Sequence, residues 1–309
     1  KKRGAFDQNF CDYQGEIKLK TPLRAIIGFI GPSIILLLIF MLIPIVVSLV
    51  ISFTDFDVYA IYDWGKASFI GLENYGNLMQ DPLFWRALLN TLYALIVAMP
   101  LTVVLALSFA ALINREATYF KNFFKVSFYL PSITNTVAIA IVWAWMLNPD
   151  YGLINWFLGL FGIQGPNWLG DPLWAMPSVI MLVVWKAVGY NVILFTAGLQ
   201  NIPDYLYEAA ELDGASRFQQ FLHVTIPSLR PTIFFVTVMT VIGYLQLFEE
   251  PYMLTAGGPL NSTLSIVLYL YRQGFRFFKL GYASSIAFML FLMIFALTYI
   301  QMSARRSEL

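Results

Sequence analysis

Six mostly apolar stretches of about 20 residues dominate this chain, and loops make up the rest of the sequence. A helix of that length crosses the hydrocarbon core of a bilayer. Only 12% of the 309 residues are charged, whereas about a quarter are charged in soluble domains. A soluble globular fold is therefore excluded, and so is disorder, which requires low hydrophobicity. The sequence predicts an all-α integral membrane protein with six transmembrane helices, near 26–53, 87–113, 126–147, 175–199, 233–253 and 283–302.

The positions of Lys and Arg predict the orientation of these helices, because cytoplasmic loops carry an excess of both residues. Five of the 19 basic residues fall on one side of the membrane, and Lys186 lies within a span. The other 13 fall on the opposite side: Lys1, Lys2, Arg3, Lys18, Lys20, Arg24, Arg115, Lys121, Lys125, Arg217, Arg230, Arg305 and Arg306. The richer side should be cytoplasmic, and both termini should lie on it.

The same assignment divides the chain into three parts. They are a cytoplasmic N-terminal segment (1–25), a six-helix membrane domain (26–302) that includes a cytoplasmic loop (201–231), and a cytoplasmic tail (303–309). A cleavable signal peptide is not expected. About two dozen polar residues come first, and the apolar stretch that follows is too long for the apolar region of a signal.

The chain has few of the side chains that enzyme and metal chemistry use most. Cys11 is its one cysteine and His223 its one histidine. An internal disulfide and a multi-cysteine metal site are therefore excluded, and His-based catalysis is not expected. We predict no catalytic residue and no metal site. The net charge of +1 gives no reason to expect nucleic acid as a partner.

The most informative segment is the loop at 201–231, between the fourth and fifth spans. Its sequence predicts two short helices joined by a turn at Asp213-Gly214. One interpretation is an amphipathic helix lying on lipid, which would carry Lys and Arg on its polar face. The first helix is instead acidic and presents the small residues Ala209 and Ala210. This favours insertion into a groove of a partner protein.

Three motifs, in this order along the chain, resemble those of ABC sugar importer permeases. The first lies in the outer loop of MalF-like subunits and matches 69–75 (Phe-Ile-Gly-Leu-Glu-Asn-Tyr), 81–85 and Asn90-Thr91. The second is the EAA motif, matched by Glu208-Ala209-Ala210, Gly214, Val224 and Ile226-Pro227, with Val224 and Ile226 in place of the family's Ile and Leu. The third follows the fifth span and matches 252–259 (Tyr-Met-Leu-Thr-Ala-Gly-Gly-Pro) and Ser262-Thr263.

This resemblance implies a permease subunit of a binding-protein-dependent sugar importer in the bacterial inner membrane, with the type I ABC importer fold. Such a subunit pairs with a second, MalG-like permease. Two cytoplasmic ATPase subunits bind ATP and Mg, and a periplasmic or extracellular binding protein delivers the sugar. This chain lacks a Gly-x-x-x-x-Gly-Lys-[Ser/Thr] phosphate-binding motif, so we expect no cofactor in the chain itself. The expected contacts to the ATPase are Glu208, Ala209, Ala210, Gly214 and Arg217.

Polar side chains inside the spans are costly and therefore mark candidate substrate contacts. A rise of about 1.5 Å per residue places several of them at a similar depth on the fourth and fifth spans. We predict a sugar path formed by Tyr190, Asn191, Tyr244, Gln246 and Glu249, the alternative being hydrogen bonds between helices. Lys186 should face the protein interior. Its pairing with Glu249 or Glu250 is not expected, because both acids count as about a turn or two nearer the outer surface.

Two other functions stay open. An ion-coupled secondary transporter would need no ATPase, but it predicts inverted repeats and broken helices, and the sequence shows no convincing repeat. A membrane-embedded enzyme would need a convergent catalytic set, and none is visible. The resemblance implies an oligosaccharide substrate. An alginate-type uronate oligomer, a malto-oligosaccharide and a polyol phosphate are all candidates.

Overall fold

The computed structural model describes residues 23–114 and 120–306. Most of the predicted N-terminal segment, Arg115 and the last three residues of the tail lie outside these ranges. The described chain is helical and has no strand, although an isolated bridge joins Thr54 and Phe69. Its helices are α1 Leu23–Leu37, α2 Ile43–Ile51, α3 Val58–Tyr62, α4 Glu73–Gln80, α5 Pro82–Ile113, α6 Lys121–Ile133, α7 Thr136–Met146, α8 Leu153–Leu160, α9 Pro172–Gln200, α10 Asp204–Leu212, α11 Arg217–Gln220, α12 Ile226–Ser228, α13 Arg230–Leu245, α14 Glu249–Thr255, α15 Ile266–Tyr271 and α16 Leu280–Arg306.

Four helical stretches are long and apolar enough to cross a membrane: Ile27–Ile51, Pro82–Ile113, Pro172–Gln200 and Leu280–Ala304. They agree with the predicted first, second, fourth and sixth spans. Two pairs of helices pass the same test only when each bent pair is taken as one span, so the described residues contain up to six spans. The prediction of an all-α membrane protein is confirmed. The orientation of the termini stays a prediction.

The third and fifth spans are not the straight helices that the sequence predicts. The third is broken after Ile133, where α6 meets α7 at a bend of 97°. Asn135 begins α7, and its Oδ1 accepts the N–H of Val137 at 2.9 Å, which satisfies a backbone donor left free at the break. In the fifth, Arg217–Ser228 meets α13 at 68°. α13 then ends at Leu245, so the predicted end of this span, 246–253, belongs to a turn and to α14.

The described residues up to Val50 form one compact unit, and those from Ile51 form a second. The first unit contains α1, a π-helical turn at Leu38–Leu42 and nearly all of α2. The π-helical turn ends two residues before Pro44. A proline at this point cannot donate to the helix and crowds the carbonyl four residues earlier. The wider turn therefore carries the helix past the proline without ending it.

The core of the second unit forms where α5 packs against α9. α5 buries small residues at every third or fourth position: Ala87, Thr91, Ala94, Ala98, Thr102, Ala106 and Ala110. Small side chains at this spacing allow two helix backbones to approach closely. α9 is apolar around most of its circumference and is largely buried, as expected for a helix surrounded by others.

Two glycines of α9 allow other helices to cross it at short range. A Cβ atom on Gly189 would lie 1.9 Å from the carbonyl oxygen of Phe128 on α6. A Cβ atom on Gly198 would lie 2.7 Å from Oγ1 of Thr232 on α13. A larger residue at either position would therefore force α6 or α13 away from α9.

Asp81 holds the start of α5 against two other helices. Its Oδ1 accepts the N–H of Leu83 at 2.8 Å. Its Oδ2 accepts the hydroxyl of Tyr282 at 2.7 Å and also that of Tyr269. Burial acts to raise the pKa of Asp81, but these hydrogen bonds hold it below its usual value. Burial, followed by the bond to Asp81, raises the pKa of Tyr269 to about 12. One carboxylate thus joins α5, α15 and α16.

Candidate functional site

The predicted helix–turn–helix at 201–231 is present, and its turn is formed by backbone hydrogen bonds. Gly214 has a φ of +75°, in the left-handed region that glycine adopts without steric cost. The N–H of Gly214 donates to the carbonyl of Glu211 at 3.0 Å, and the N–H of Ala215 donates to that of Ala210 at 2.9 Å. This is the Schellman arrangement, which satisfies the last carbonyls of a helix. The sequence therefore ends α10 here and reverses the chain.

The second half of this hairpin is tied back to the first. Ser216 begins α11 with a capping box in which its side chain and that of Gln219 bind each other's backbone N–H groups. The hydroxyls of Tyr207 and Thr225 are 2.9 Å apart and connect α10 to the π-helical turn after α11. Nδ1 of His223 lies 3.0 Å from the carbonyl oxygen of Gln219. The hairpin is therefore internally bonded, and His223 has a local structural partner.

The hairpin presents an exposed surface that combines acidic and apolar groups. Of the residues predicted to contact an ATPase, Ala210 is half-buried, and the other four are exposed: Glu208, Ala209, Gly214 and Arg217. Beside them, Leu212 is 90% exposed and Phe218 is 70% exposed. Large apolar side chains next to carboxylates suit a protein partner better than an anionic lipid surface.

A cavity of about 650 Å³ lies between α9 and the turn that joins α13 to α14. All five residues predicted for the substrate path line it: Tyr190, Asn191, Tyr244, Gln246 and Glu249. The first two come from α9, and the others come from the end of α13, the turn and the start of α14. The structure therefore brings the predicted set together, while its binding role stays a prediction.

The five residues differ in what their polar groups can reach. Tyr244 and Asn191 are each only 5% exposed. The hydroxyl of Tyr244 is hydrogen-bonded to that of Thr102 on α5, and Nδ2 of Asn191 donates to the carbonyl of Ala187 at 3.0 Å. Both side chains therefore make bonds within the helix bundle. The exposed members are Tyr190, Gln246 and Glu249, and all three line the cavity.

Sequence analysis missed several residues of the cavity wall, among them Ser132, Met239, Thr240, Gly243 and Phe248. Part of this wall follows helical spacing, since Met239, Gly243 and Gln246 fall at i, i+4 and i+7. This periodicity, extended back from Gln246, could have identified Met239 and Gly243. Ser132 lies just before the break between α6 and α7, and no local pattern marks it.

The prediction that Lys186 does not pair with Glu249 or Glu250 is wrong. Its Nζ lies 3.1 Å from Oε1 of Glu250 and 3.8 Å from Oε2 of Glu249, and it also donates to the hydroxyl of Thr136. The depth count assumed that α13 continues outward as a straight helix. Because α13 ends at Leu245 and α14 packs against α7 and α9, both acids stay at the level of Lys186.

Removing one partner of the Lys186–Glu250 pair should be costly, whereas removing the charge of both should not. Its side chains are only 20% and 11% exposed. Lys186→Met would leave a buried carboxylate unpaired, and we expect the free energy of unfolding to fall by about 3 kcal/mol. Lys186→Met combined with Glu250→Gln should recover most of the loss. The measurement is SDS-induced unfolding of the purified protein in mixed micelles.

Lys66→Met is the matched control for this experiment, because Lys66 is exposed and its loss should change the stability by less than about 0.5 kcal/mol. A double variant that is no more stable than Lys186→Met alone would contradict the assignment of this pair.

Residues 82–306 match the family described as "Binding-protein-dependent transport system inner membrane component". The lactose transport system permease protein LacF of Rhizobium radiobacter is 38% identical over 288 residues, which cover 91% of this chain and 93% of LacF. The trehalose/maltose transport system permease protein MalF of Thermococcus litoralis is 33% identical, covering 89% of this chain and 91% of that protein. The crystal structure of a bacterial ABC transporter that imports the acidic polysaccharide alginate contains a chain with a TM-score of 0.76 and 26% identity. The match covers 92% of this chain and 96% of that one.

Proposed function

Because this chain belongs to the family of binding-protein-dependent transport system inner membrane components, we propose that its hairpin receives the motion of a separate ATPase and that its cavity passes the sugar. The chain is a multi-pass permease subunit of a sugar ABC importer in the inner membrane. In this proposal the hairpin and both termini lie in the cytoplasm. ATP and Mg bind to the ATPase subunits, and this chain performs transport without a nucleotide site of its own.

One observation carries the mechanical part of the proposal: the hairpin is the direct connection between two helices that line the cavity. α9 ends at Gln200 and α13 begins at Arg230, and both contribute residues to the cavity wall. The hairpin is internally bonded, so a partner that tilts it would displace the ends of both helices together. A change between two packed arrangements would then open the cavity to one side of the membrane or to the other.

The proposed partners are a second, MalG-like permease, two cytoplasmic ATPase subunits and a sugar-binding protein outside the membrane. The related alginate transporter was crystallised with a periplasmic protein bound to an alginate pentasaccharide, which supports the last of these. The five residues Glu208, Ala209, Ala210, Gly214 and Arg217 form the proposed contact with the ATPase. Small side chains at 209 and 210 would permit close approach of the partner surface.

We propose an oligosaccharide as substrate, since the related permeases are named for lactose, arabinooligosaccharides and trehalose or maltose. The cavity suits such a ligand. It offers the hydroxyl of Tyr190, the amide of Gln246 and the carboxylate of Glu249, together with the ring of Phe248. Hydroxyl groups of a sugar can donate to and accept from these side chains, and the apolar face of a pyranose can pack on an aromatic ring.

The alternative of an ion-coupled secondary transporter gains one observation from the structure, because two candidate spans are bent by 97° and 68° and broken helices are typical of that class. The two functions differ in their need for an ATPase. Uptake should be measured in proteoliposomes that contain this chain with its co-purified partners, with and without the ATPase subunits. We expect uptake only with the ATPase and ATP. Uptake that persists after removal of every ATPase subunit would overturn the proposed function.

A further inference from the structure

The charged groups of the cavity carry one more negative charge than positive charge. Three of the residues lining it are charged, namely Lys186, Glu249 and Glu250, and together they carry a formal charge of −1. The other polar groups that line the cavity are uncharged hydroxyls and amides, from Ser132, Tyr190, Asn191, Thr240, Tyr244 and Gln246.

The positive charge of Lys186 is already engaged. Its Nζ lies 3.1 Å from Oε1 of Glu250 and donates to the hydroxyl of Thr136, and its side chain is only 20% exposed. An ammonium group has three donors, and two of them are used by these contacts. A ligand carboxylate that approached Lys186 would compete with this ion pair and would also lie close to Glu249.

Glu249 is placed differently. Its side chain is 62% exposed, and its Oε2 is 3.8 Å from Nζ of Lys186, which is beyond hydrogen-bonding distance. An ionised carboxylate accepts hydrogen bonds and cannot donate them. Sugar hydroxyls can supply those donors. The carboxylate of a uronate cannot, and its negative charge is repelled by that of Glu249. The repulsion is increased where the protein replaces water with a medium of lower dielectric constant.

From this geometry we propose that Glu249 selects the charge class of the sugar, so that this chain's side of the passage accepts uncharged, hydroxyl-rich sugars and disfavours uronates. The inference rests on the proposed function, since it assumes that the cavity is the sugar passage. It separates the substrate of this chain from that of the alginate transporter that it resembles in fold. The selecting residue is a single exposed carboxylate, beside a lysine that another carboxylate has neutralised.

The test compares pairs of sugars in which one member carries a carboxylate in place of a hydroxymethyl group. The complete importer complex in nanodiscs is titrated with maltotriose and with maltotriose oxidised to carboxylate at C6, and in parallel with lactose and its oxidised form. We expect the wild-type complex to bind the neutral sugar of each pair about tenfold more tightly or better, which corresponds to one net negative charge in the cavity at moderate screening. Glu249→Gln should remove most of this preference, and added salt should weaken it in the wild type but not in the variant.

Tyr190→Phe is the control, because it removes a hydroxyl from the same cavity without changing its charge. It should weaken the binding of both sugars alike and leave their ratio unchanged. Glu249→Ser is a second neutral variant and should behave as Glu249→Gln does. If the wild type preferred the oxidised sugars, or if Glu249→Gln left the ratio of the two affinities unchanged, this inference would be overturned while the proposed function would stand. Failure to bind any of the four sugars would count against the sugar passage itself, and therefore against the proposed function as well.

Discussion

Replacing Gly214 with valine should reduce ATP-driven uptake by about tenfold or more, while the membrane helices stay folded. Gly214 has a φ of +75°. This left-handed conformation costs an L-residue about 1–2 kcal/mol, and the cost is greatest for β-branched residues such as valine. In the valine variant the turn at residue 214 should therefore not form. The bonds from Gly214 to Glu211 and from Ala215 to Ala210 would then be lost, and the end of α10 would move. Uptake and sugar-stimulated ATP hydrolysis by the reconstituted complex are the measurements.

Gly214→Asn is the matched control for conformation, because asparagine tolerates the left-handed region. No atom lies within 4 Å of a Cβ placed on Gly214, so within this chain a side chain has room. We expect the asparagine variant to retain most of the uptake. If asparagine and valine are equally damaging, the side chain itself blocks the partner surface, and the contact with the ATPase includes Gly214 directly. Full uptake by the valine variant would contradict the coupling role of the hairpin.

Much of this architecture follows from local properties of the sequence. The average hydropathy over a window as long as a span identifies the membrane helices, because such a helix contacts lipid or other helices along its entire length. The hairpin is recognisable because Asp213-Gly214 is a turn signal that depends only on backbone freedom. The clustering of Tyr190 and Gln246 also follows from counting the helical rise, since Tyr190 lies on α9 and Gln246 comes directly after α13.

The error at the end of the fifth span arises because the chain leaves the helix without a clear break in its apolar sequence. The residues Gln246-Leu247-Phe248 contain neither glycine nor proline, so an average of hydropathy continues through them. The sequence does carry a weaker signal, since Glu249-Glu250-Pro251 is typical of a helix start, with acids and proline in its first turn. Taken as such, it predicts a new helix at Glu249, as found. The pairing of Lys186 with Glu250 still required tertiary structure, because it depends on how α14 packs against α7 and α9.

The exposed polar residues of the cavity should matter for transport far more than the buried ones. Tyr190→Ala combined with Gln246→Ala removes an aromatic face and two hydrogen-bonding groups from the cavity wall. At about 1 kcal/mol for each lost hydrogen bond, the pair should cost about 2 kcal/mol, which is roughly 30-fold in rate. Tyr244→Phe should change the transport rate by less than about twofold, because its hydroxyl is bonded to Thr102 and the side chain is buried.

The contrast between these variants separates a substrate path from helix packing, which were the two interpretations of the same residues. Transport should be measured in proteoliposomes at saturating sugar-loaded binding protein, so that capture of the sugar from solution does not limit the rate. Thermal unfolding of the purified complex reports packing, and there the order should invert, with Tyr244→Phe losing more stability than the exposed pair. If Tyr244→Phe slows transport as much as the double variant does, the path runs through α5 and Thr102. If the double variant transports at the wild-type rate, the cavity between α9 and α14 does not carry the sugar.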